Sequence, residues 1–226
     1  MARSQTTTVR ARQLGDLVRA EVRAMRLGPL AGGVGLTALL VGLALRHRIT
    51  DPAGLVPILQ IVAIALGLGF AFIFDDPSAD SISSAPTSLL FRRALRVTVS
   101  AASVGAVWGA VLLAARVRAG QPIPMGIPSL YLITTLTFVV ATACATGRAT
   151  REGPGGIAGG PLLLLVIGLS RVLPPRFRFF EADTGHGYST ALRLAVVAVL
   201  SVAVALWASL DPGRPVRGLA TLKRRR

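Results

Sequence analysis

The stretch Gly54–Phe74, GLVPILQIVAIALGLGFAFIF, decides the fold, because none of its 21 residues is charged. An α-helix of about 20 apolar residues crosses a hydrocarbon core of about 30 Å. The stretch ends at Asp75-Asp76-Pro77, where two charges and a proline interrupt it. It lacks the alternation of a barrel strand, so a helix is the structure that satisfies its backbone hydrogen bonds in lipid. We therefore predict a membrane-spanning helix here.

Five more apolar blocks flank this stretch. The 226-residue chain is 52% hydrophobic and 15% charged, whereas a soluble domain carries about 25% charged residues. This composition predicts an all-α polytopic membrane protein with six transmembrane helices over residues 28–210. The predicted spans are Gly28–Leu45, Gly54–Phe74, Ala94–Ala115, Pro128–Gly147, Ala158–Leu173 and Ala191–Leu210.

Residues outside the spans are strongly basic. In residues 1–27, apolar side chains recur at helical spacing and arginines gather on another face, which predicts a cytoplasmic amphipathic elbow helix in the headgroup plane. The alternative is that this helix only anchors the chain. Residues 211–226 are predicted to form a basic cytoplasmic tail.

The net charge of +15 would suggest nucleic acid in a soluble protein. Here the basic residues flank apolar blocks, so membrane lipids and topology explain them better, and we expect no nucleic-acid partner. With both termini cytoplasmic, 17 Lys and Arg lie inside and 8 outside. Lys223 is the only lysine. The use of arginine in place of lysine suggests, from codon usage, the GC-rich genome of a bacterium. We therefore expect the protein in a bacterial plasma membrane.

No side chain suited to energy coupling lies within the predicted spans. All ten Asp and Glu residues fall outside them, whereas proton- and sodium-driven transporters usually use an intramembrane carboxylate. A P-loop would need a Gly-Lys-Ser/Thr sequence, but Lys223 lies between Leu222 and Arg224. We expect no catalytic residue and no metal site, since His47 and His186 form no zinc motif. Cys144 is predicted to be a packing residue.

The segment between the second and third spans is acidic first, polar in the middle and basic last. A short helix capped at Asp80 or Ser81 and broken at Pro86 would let a soluble motor push on the membrane domain. The alternative is an ordinary connector. Leu89–Phe91 are expected to re-enter the membrane surface. The residues predicted to couple are Asp75, Asp76, Asp80, Ser81, Ser83, Ser84, Pro86, Thr87, Arg92 and Arg93.

This region resembles the membrane subunits of ABC-2 type exporters from actinobacteria. The resemblance rests on Phe70–Pro77, on Ala85-Pro86-Thr87, and on Arg92-Arg93 followed by Arg96. It implies that Ser78–Ser88 docks on a separate ABC ATPase subunit, present in two copies. It also implies a second membrane subunit, identical or homologous. This chain would bind no cofactor, and ATP with Mg would bind in the partner subunit.

The resemblance also implies short re-entrant helices outside the membrane, between the fifth and sixth spans. The aromatic residues there are Phe177, Phe179, Phe180 and Tyr188, and they suit an extracellular gate. An interfacial aromatic belt is the alternative.

Two further patterns concern the spans themselves. Thr134, Thr137 and Thr142 of the fourth span predict a mildly polar strip along a translocation path, unless their hydroxyls only bond back to their own helix. Small residues at four-residue spacing, as in Gly28 and Gly32 or Gly105 and Gly109, indicate close packing, either within one subunit or at a dimer face. The run Glu152–Gly156 is predicted to be a turn.

These observations predict the permease subunit of an ATP-driven exporter of an amphiphilic or hydrophobic small molecule, drug or lipid-like compound. The chain would not be an enzyme. The alternatives are a membrane scaffold or assembly factor, and a secondary transporter or channel.

Overall fold

The computed structural model describes residues 27–47, 49, 52–74, 89–119, 125–149, 155–172 and 187–209, and within these ranges every regular element is a helix. The all-α prediction is therefore confirmed for this part of the chain. The elbow helix (apart from Leu27) and the basic tail lie outside the described residues. The elements are α1 (Leu27–Arg46), α2 (Pro52–Ala71), a 3-10 helix (Phe72–Phe74), α3 (Leu89–Ala119), α4 (Gly126–Ala149), α5 (Gly155–Val172) and α6 (Gly187–Ser209).

Helix α3 is longer than the predicted third span. It begins at Leu89 and has 31 residues, a length of about 46 Å at 1.5 Å per residue. Leu89–Phe91, which were expected to re-enter the membrane surface, form the first turn of α3; their depth in the membrane stays a prediction. Arginine is a good helix former, so Arg92 and Arg93 do not end the helix where the apolar stretch ends.

Helix α5 begins earlier than predicted. The run Glu152–Gly156 was expected to be a turn, but Gly155 and Gly156 are the first residues of α5. The prediction was wrong for these two glycines. A segment that enters lipid must satisfy its own backbone hydrogen bonds, and this requirement outweighs the weak helix propensity of glycine.

Helices α2 and α4 form the centre of the bundle. In the most apolar window of each helix, 67% of α2 and 50% of α4 is buried, against 22% of α1, α3 and α6. Helix α4 packs along α6 and also contacts α2 and α5, while α1 packs on α2 and α3 touches its neighbours more sparsely. The core between them includes Leu66, Phe70, Tyr131, Leu163 and Leu194, each no more than 2% exposed.

Helices α1 and α2 cross at two glycines. A Cβ atom at Gly33 would lie 2.8 Å from the Ala65 carbonyl oxygen and 3.2 Å from the Gly69 Cα. A Cβ atom at Gly69 would lie 2.9 Å from the Pro29 carbonyl oxygen. The two backbones are therefore in contact, which is how small residues bring membrane helices together.

The helix ends alternate between the two ends of the bundle. The 3-10 helix contacts α1, α3 and α5, and the Gly67 position lies against Thr135 and Leu163. These contacts, together with hydrogen bonds from α4 to α6, put the ends of α2, α4 and α6 beside the starts of α1, α3 and α5. We call this the Phe74 end of the bundle.

Large apolar side chains lie on the outside of this bundle as well as in its core, and several polar side chains are buried. Thr37, Gln60, Ser100, Thr134 and Thr135 are buried. Large apolar side chains cover the outside: exposed examples are Leu39, Leu43, Ile61, Leu113, Leu165, Leu169, Val199, Leu200 and Leu206. This surface suits lipid and not water.

Of the six α-helices that the structure describes, five are long and apolar enough to cross a membrane. They are α1, α2, α3, α4 and α6. Helix α5 has 18 residues, about 27 Å, and its shorter apolar part runs over Ala158–Ser170. The coarser prediction of a membrane-embedded helical protein therefore holds.

Candidate functional site

The predicted coupling segment lies between two described elements that contact each other. The 3-10 helix ends at Phe74, α3 begins at Leu89, and the two pack together. Arg92 and Arg93 lie in the first two turns of α3. The other predicted coupling residues lie outside the described residues: Asp75, Asp76, Asp80, Ser81, Ser83, Ser84, Pro86 and Thr87. The 3-10 helix that precedes residues 75–88 thus contacts α3, the helix that follows them.

Arg96 is a buried cation near this point. Its side chain is 5% exposed, and Ser100, one turn further along α3, is 2% exposed. Arginine is almost never fully buried without a partner, and Arg96 does make a polar or electrostatic interaction. Sequence reasoning used Arg96 only in the resemblance and in the charge count. The spacing of Arg92, Arg96 and Ser100, four residues apart, is the signal that could have revealed a polar stripe on one helix face.

The hydroxyls of α4 bond mainly to their own helix. Thr137 Oγ1 donates to the Ile133 carbonyl at 2.9 Å, and Thr142 Oγ1 donates to the Val139 carbonyl at 2.9 Å. The sequence left open that these hydroxyls bond only to their own helix. The structure shows such bonds for both residues, and each bond uses the single hydroxyl hydrogen of its side chain. Both side chains are half-buried, so both remain candidate residues of the translocation path. The described residues alone do not form such a path.

Thr134 reaches a second helix. Its Oγ1 shares its hydrogen between the Leu130 carbonyl at 2.8 Å and the Leu194 carbonyl of α6 at 3.1 Å. The side chain has no exposed surface. In this arrangement Thr134 packs α4 against α6 and does not line an open surface, so a path along it would require these two helices to separate.

Two contacts near the Phe74 end continue the α4–α6 pairing. Ser209 Oγ lies 3.6 Å from the sulfur of Cys144, which is a buried free thiol. Arg148 Nη1 donates to the Trp207 carbonyl at 2.6 Å, and its Cζ lies 4.4 Å from the centroid of the Trp207 ring. Together with the bond from Thr134 to Leu194, these contacts show that α4 and α6 run parallel.

One buried hydroxyl has no hydrogen bond. Among the described residues, Thr37 Oγ1 is the only fully buried side-chain nitrogen or oxygen without a partner. An unsatisfied buried hydroxyl costs about 1–3 kcal/mol. Thr37 therefore weakens the contact of α1 with the bundle.

The small-residue rows divide into two groups. A Cβ at Gly159 would meet the Thr142 hydroxyl at 3.3 Å, and a Cβ at Gly160 would meet the Leu68 side chain at 3.6 Å. These two pack within the chain. Gly28, Gly32, Gly105 and Gly109 instead face open space, because a Cβ at any of them would meet nothing within 4 Å. Packing among the described residues therefore does not account for these four glycines.

A small apolar cavity lies between α1, α2 and α3, away from the Phe74 end. Its volume is about 20 Å³, and Val41, Leu55 and Val111 are among its lining residues. This is room for about one water molecule. The cavity is too small for a transported solute.

The side chains of the residues predicted to form the extracellular gate lie outside the part of the chain that the structure describes. Phe177, Phe179 and Phe180 lie outside the described residues, and Tyr188 lies in the first turn of α6 without a described side chain. In the part of the chain that the structure describes, no group of three or more His, Cys, Asp or Glu side chains could hold a metal ion. Comparison of the chain with protein-family models, with curated proteins and with solved structures gave no match.

Proposed function

We propose that this chain is the membrane-spanning subunit of an ATP-driven exporter, related to the ABC-2 type. It has six spans, sits in a bacterial plasma membrane and keeps both termini in the cytoplasm. The Phe74 end of the bundle then faces the cytoplasm. The exported compound is amphiphilic or hydrophobic, since the helices offer hydroxyls and apolar side chains along their length.

One observation carries this proposal. Residues 75–88 begin at a 3-10 helix that contacts α1, α3 and α5, and they end at the start of α3. The 3-10 helix continues α2, the most buried helix of the bundle. A force applied to residues 75–88 would therefore reach four helices directly, which is what a docking segment for a soluble motor needs.

ATP drives transport only if nucleotide changes the balance between two arrangements of the helices. Two copies of a separate ATPase bind ATP with Mg and close. Their closure moves α3, the helix with the sparsest contacts, relative to the α2–α4 centre. A second membrane subunit, identical or homologous, completes the cavity. The open space beside Gly28, Gly32, Gly105 and Gly109 supports an approach of that subunit to α1 and α3.

Deletion of Ser81–Ser84 tests the coupling. The full chain is first purified in mild detergent with the proteins that accompany it, and an ATPase is identified among them by mass spectrometry. We expect the deletion to abolish transport while the ATPase retains its basal activity. A control deletion of the same length, Gly120–Ile123, lies between α3 and α4 in the sequence and should leave the coupling intact.

The proposal fails if both the stimulation of the ATPase and export survive deletion of Ser81–Ser84. Purification without any nucleotide-binding protein would favour a scaffold or assembly factor. Transport that stops with a proton uncoupler and continues without ATP would favour a secondary transporter.

A further inference from the structure

Gln60 is a polar side chain near the middle of α2, and neither the coupling segment nor the hydroxyls of α4 involve it. No other side chain of α2 can form a hydrogen bond. The apolar window of this helix runs over Gly54–Ala71, so Gln60 lies about 4 Å from its middle at 1.5 Å per residue. Polar side chains at such a depth in a membrane pair with another polar group or belong to a functional site.

The carboxamide of Gln60 has no partner among the described residues. Gln60 is 8% exposed, and it forms no hydrogen bond within the described chain. Thr37 Oγ1 is the only fully enclosed side-chain oxygen or nitrogen without a partner there, so both polar atoms of the Gln60 carboxamide keep some accessible surface. Gln60 therefore combines a buried stem with an unpaired carboxamide that a ligand can reach.

Gln60 lies between an exposed flank of α2 and the side on which α4 and α5 pack. Gly67, seven residues and about two turns further on, shares the face of Gln60, and a Cβ atom there would meet Thr135 of α4 and Leu163 of α5. The crossing with α1 at Gly69 is nine residues away, half a turn out of phase, and so lies on the opposite side of α2. The exposed flank consists of three exposed or half-buried residues, Pro57, Ile61 and Ile64.

Helix α5 borders this exposed flank. Leu68 continues the flank by one turn, and a Cβ atom at Gly160 of α5 would meet its side chain at 3.6 Å. This contact and the contact of Gly67 with Leu163 both lie on the Phe74 side of Gln60. Helix α2 contacts α5 more sparsely than it contacts α4. The approach from the membrane to Gln60 therefore runs along the α2–α5 junction.

Ser170 lies on α5 at about the depth of Gln60. Helices α2 and α5 run antiparallel, so the seven residues from Leu163 to Ser170 lead in the same direction as the seven from Gly67 back to Gln60. Ser170 is 4% exposed, and its Oγ donates to the Ile167 carbonyl at 2.7 Å. The Ser170 oxygen can still accept a hydrogen bond.

The α2–α5 junction is uncharged. Neither Gly54–Phe74 nor Gly155–Ser170 contains a charged residue. An ionic group at this depth would be buried without a counterion, which is costly. The junction thus suits a group that is polar and neutral, attached to an apolar body.

We propose that Gln60 binds the polar group of a neutral amphiphile that enters from the membrane along the α2–α5 junction. The carboxamide oxygen accepts a hydrogen bond from an amide or hydroxyl of the compound, and the carboxamide nitrogen donates one back. The apolar body of the compound lies along Ile61 and Ile64. The role of this site in export rests on the proposed function, whereas binding itself needs no ATPase.

Photo-crosslinking in phosphatidylcholine vesicles tests the site with the full chain. The probe is a 16-carbon primary amide that carries a diazirine three carbons from the amide. An unbound amide stays at the level of the headgroups and marks the helix ends, whereas an amide held by Gln60 marks the middle of the membrane. We expect crosslinks within residues 57–64 of α2 or 163–170 of α5, and competition by unlabelled hexadecanamide but not by hexadecane.

Gln60→Leu removes the carboxamide at similar size, and it should lower the yield of these mid-membrane crosslinks about fivefold, as the loss of a hydrogen bond within a membrane predicts. The variant should melt no earlier than the parent chain, because an unpaired amide is replaced by an apolar group. Thr37→Val removes the other unpaired polar side chain and should leave the crosslinks unchanged.

Crosslinks confined to the helix ends of the parent chain would overturn the proposal, as would a mid-membrane yield that survives Gln60→Leu. A disulfide between two chains carrying Gln60→Cys and Cys144→Ser would assign the carboxamide to a second copy and would also overturn it. Mid-membrane crosslinks in a chain that purifies without an ATPase would support the site and remove only the proposed exporter.

Discussion

At the scale of single residues, two residues of the same type can have opposite surroundings in this protein. Gly32 and Gly33 are adjacent in the sequence, but only Gly33 lies where α1 crosses α2. Thr37 and Thr134 are both fully buried threonines, but only Thr134 bonds to a second helix. Matched substitutions at these pairs separate the contribution of a contact from that of the residue type.

Gly33→Ala should destabilise the protein, whereas Gly32→Ala should not. The new Cβ at Gly33 would lie 2.8 Å from a backbone oxygen, and backbone cannot move aside cheaply, so we expect a cost of about 1–3 kcal/mol. At Gly32 nothing lies within 4 Å, and alanine gains up to about 1 kcal/mol in helix propensity. Cys144 is 2% exposed, so its reaction with a thiol dye during heating reports unfolding. Equal melting temperatures for the two variants would contradict the crossing.

Thr134→Val should lower the melting temperature measured in the same way. The substitution removes the bond to the Leu194 carbonyl at 3.1 Å, and hydrogen bonds between membrane helices contribute about 0.6–1.7 kcal/mol. Thr37→Val removes a buried hydroxyl that has no partner, so it should be neutral or stabilising. The assignment of these two hydroxyls is wrong if Thr37→Val is the more damaging change.

At the scale of elements, α3 differs most from the other helices. It extends about 46 Å, longer than a hydrocarbon core, and it carries a buried arginine near one end and two exposed arginines near the other. Its contacts with the bundle are sparse. Of its described side chains, Arg96, Ser100 and Val104 are the buried ones nearest the start.

Arg96→Ala should destabilise the protein, while Arg118→Ala should have little effect. Both residues lie on α3, but Arg96 is 5% exposed and Arg118 is exposed. Loss of the hydrogen bonds of a buried charged group costs about 1.5–3 kcal/mol. Thermal unfolding of the two variants in the same detergent measures the difference. If both variants melt with the parent protein, Arg96 does not hold the start of α3.

The helices themselves could be predicted from the sequence, and the faces they present could not. Lipid requires each apolar block to form a helix, so Gly54–Phe74 was recognisable at once. Helix α3 extends past its apolar block because arginine suits a helix that leaves the membrane. An apolar helix has no polar face to mark its outside, so the outward position of Gly32 and the inward position of Gly33 were not predictable. The burial of Arg96 depends on how α3 packs in the bundle, and its sequence neighbours do not reveal this.

The candidate site was predictable to a smaller extent. The hydroxyl row of α4 was visible, but the bond from Thr134 to α6 depends on the parallel pairing of these helices. The contact between Arg148 and Trp207 joins residues 59 positions apart, and no spacing rule connects them. Most of the predicted coupling segment and gate lies outside the described residues and remains a prediction.

At the scale of the whole molecule, the number of spans depends on α5. Its 18 residues are the fewest of the six helices. With α5 as a span, the chain crosses the membrane six times and ends on the side where it begins. Without α5, the residues after α6 would lie on the opposite side.

Single cysteines introduced into a Cys144→Ser chain test this topology. With six spans, cysteines at Ser84 and Gly213 should be protected from an impermeant thiol reagent in intact cells, and a cysteine at Gln121 should react. All three should react after the membrane is opened. Labelling of the Gly213 position in intact cells would mean that α5 does not cross.

The central claim is that the energy for transport comes from a separate ATPase, and reconstitution into sealed vesicles tests it most directly. The account predicts that the purified chain alone moves no solute under a proton or sodium gradient. It also predicts that addition of the co-purified ATPase with ATP and Mg starts transport, which deletion of Ser81–Ser84 then abolishes. Directed movement of a solute by the chain alone would contradict the account.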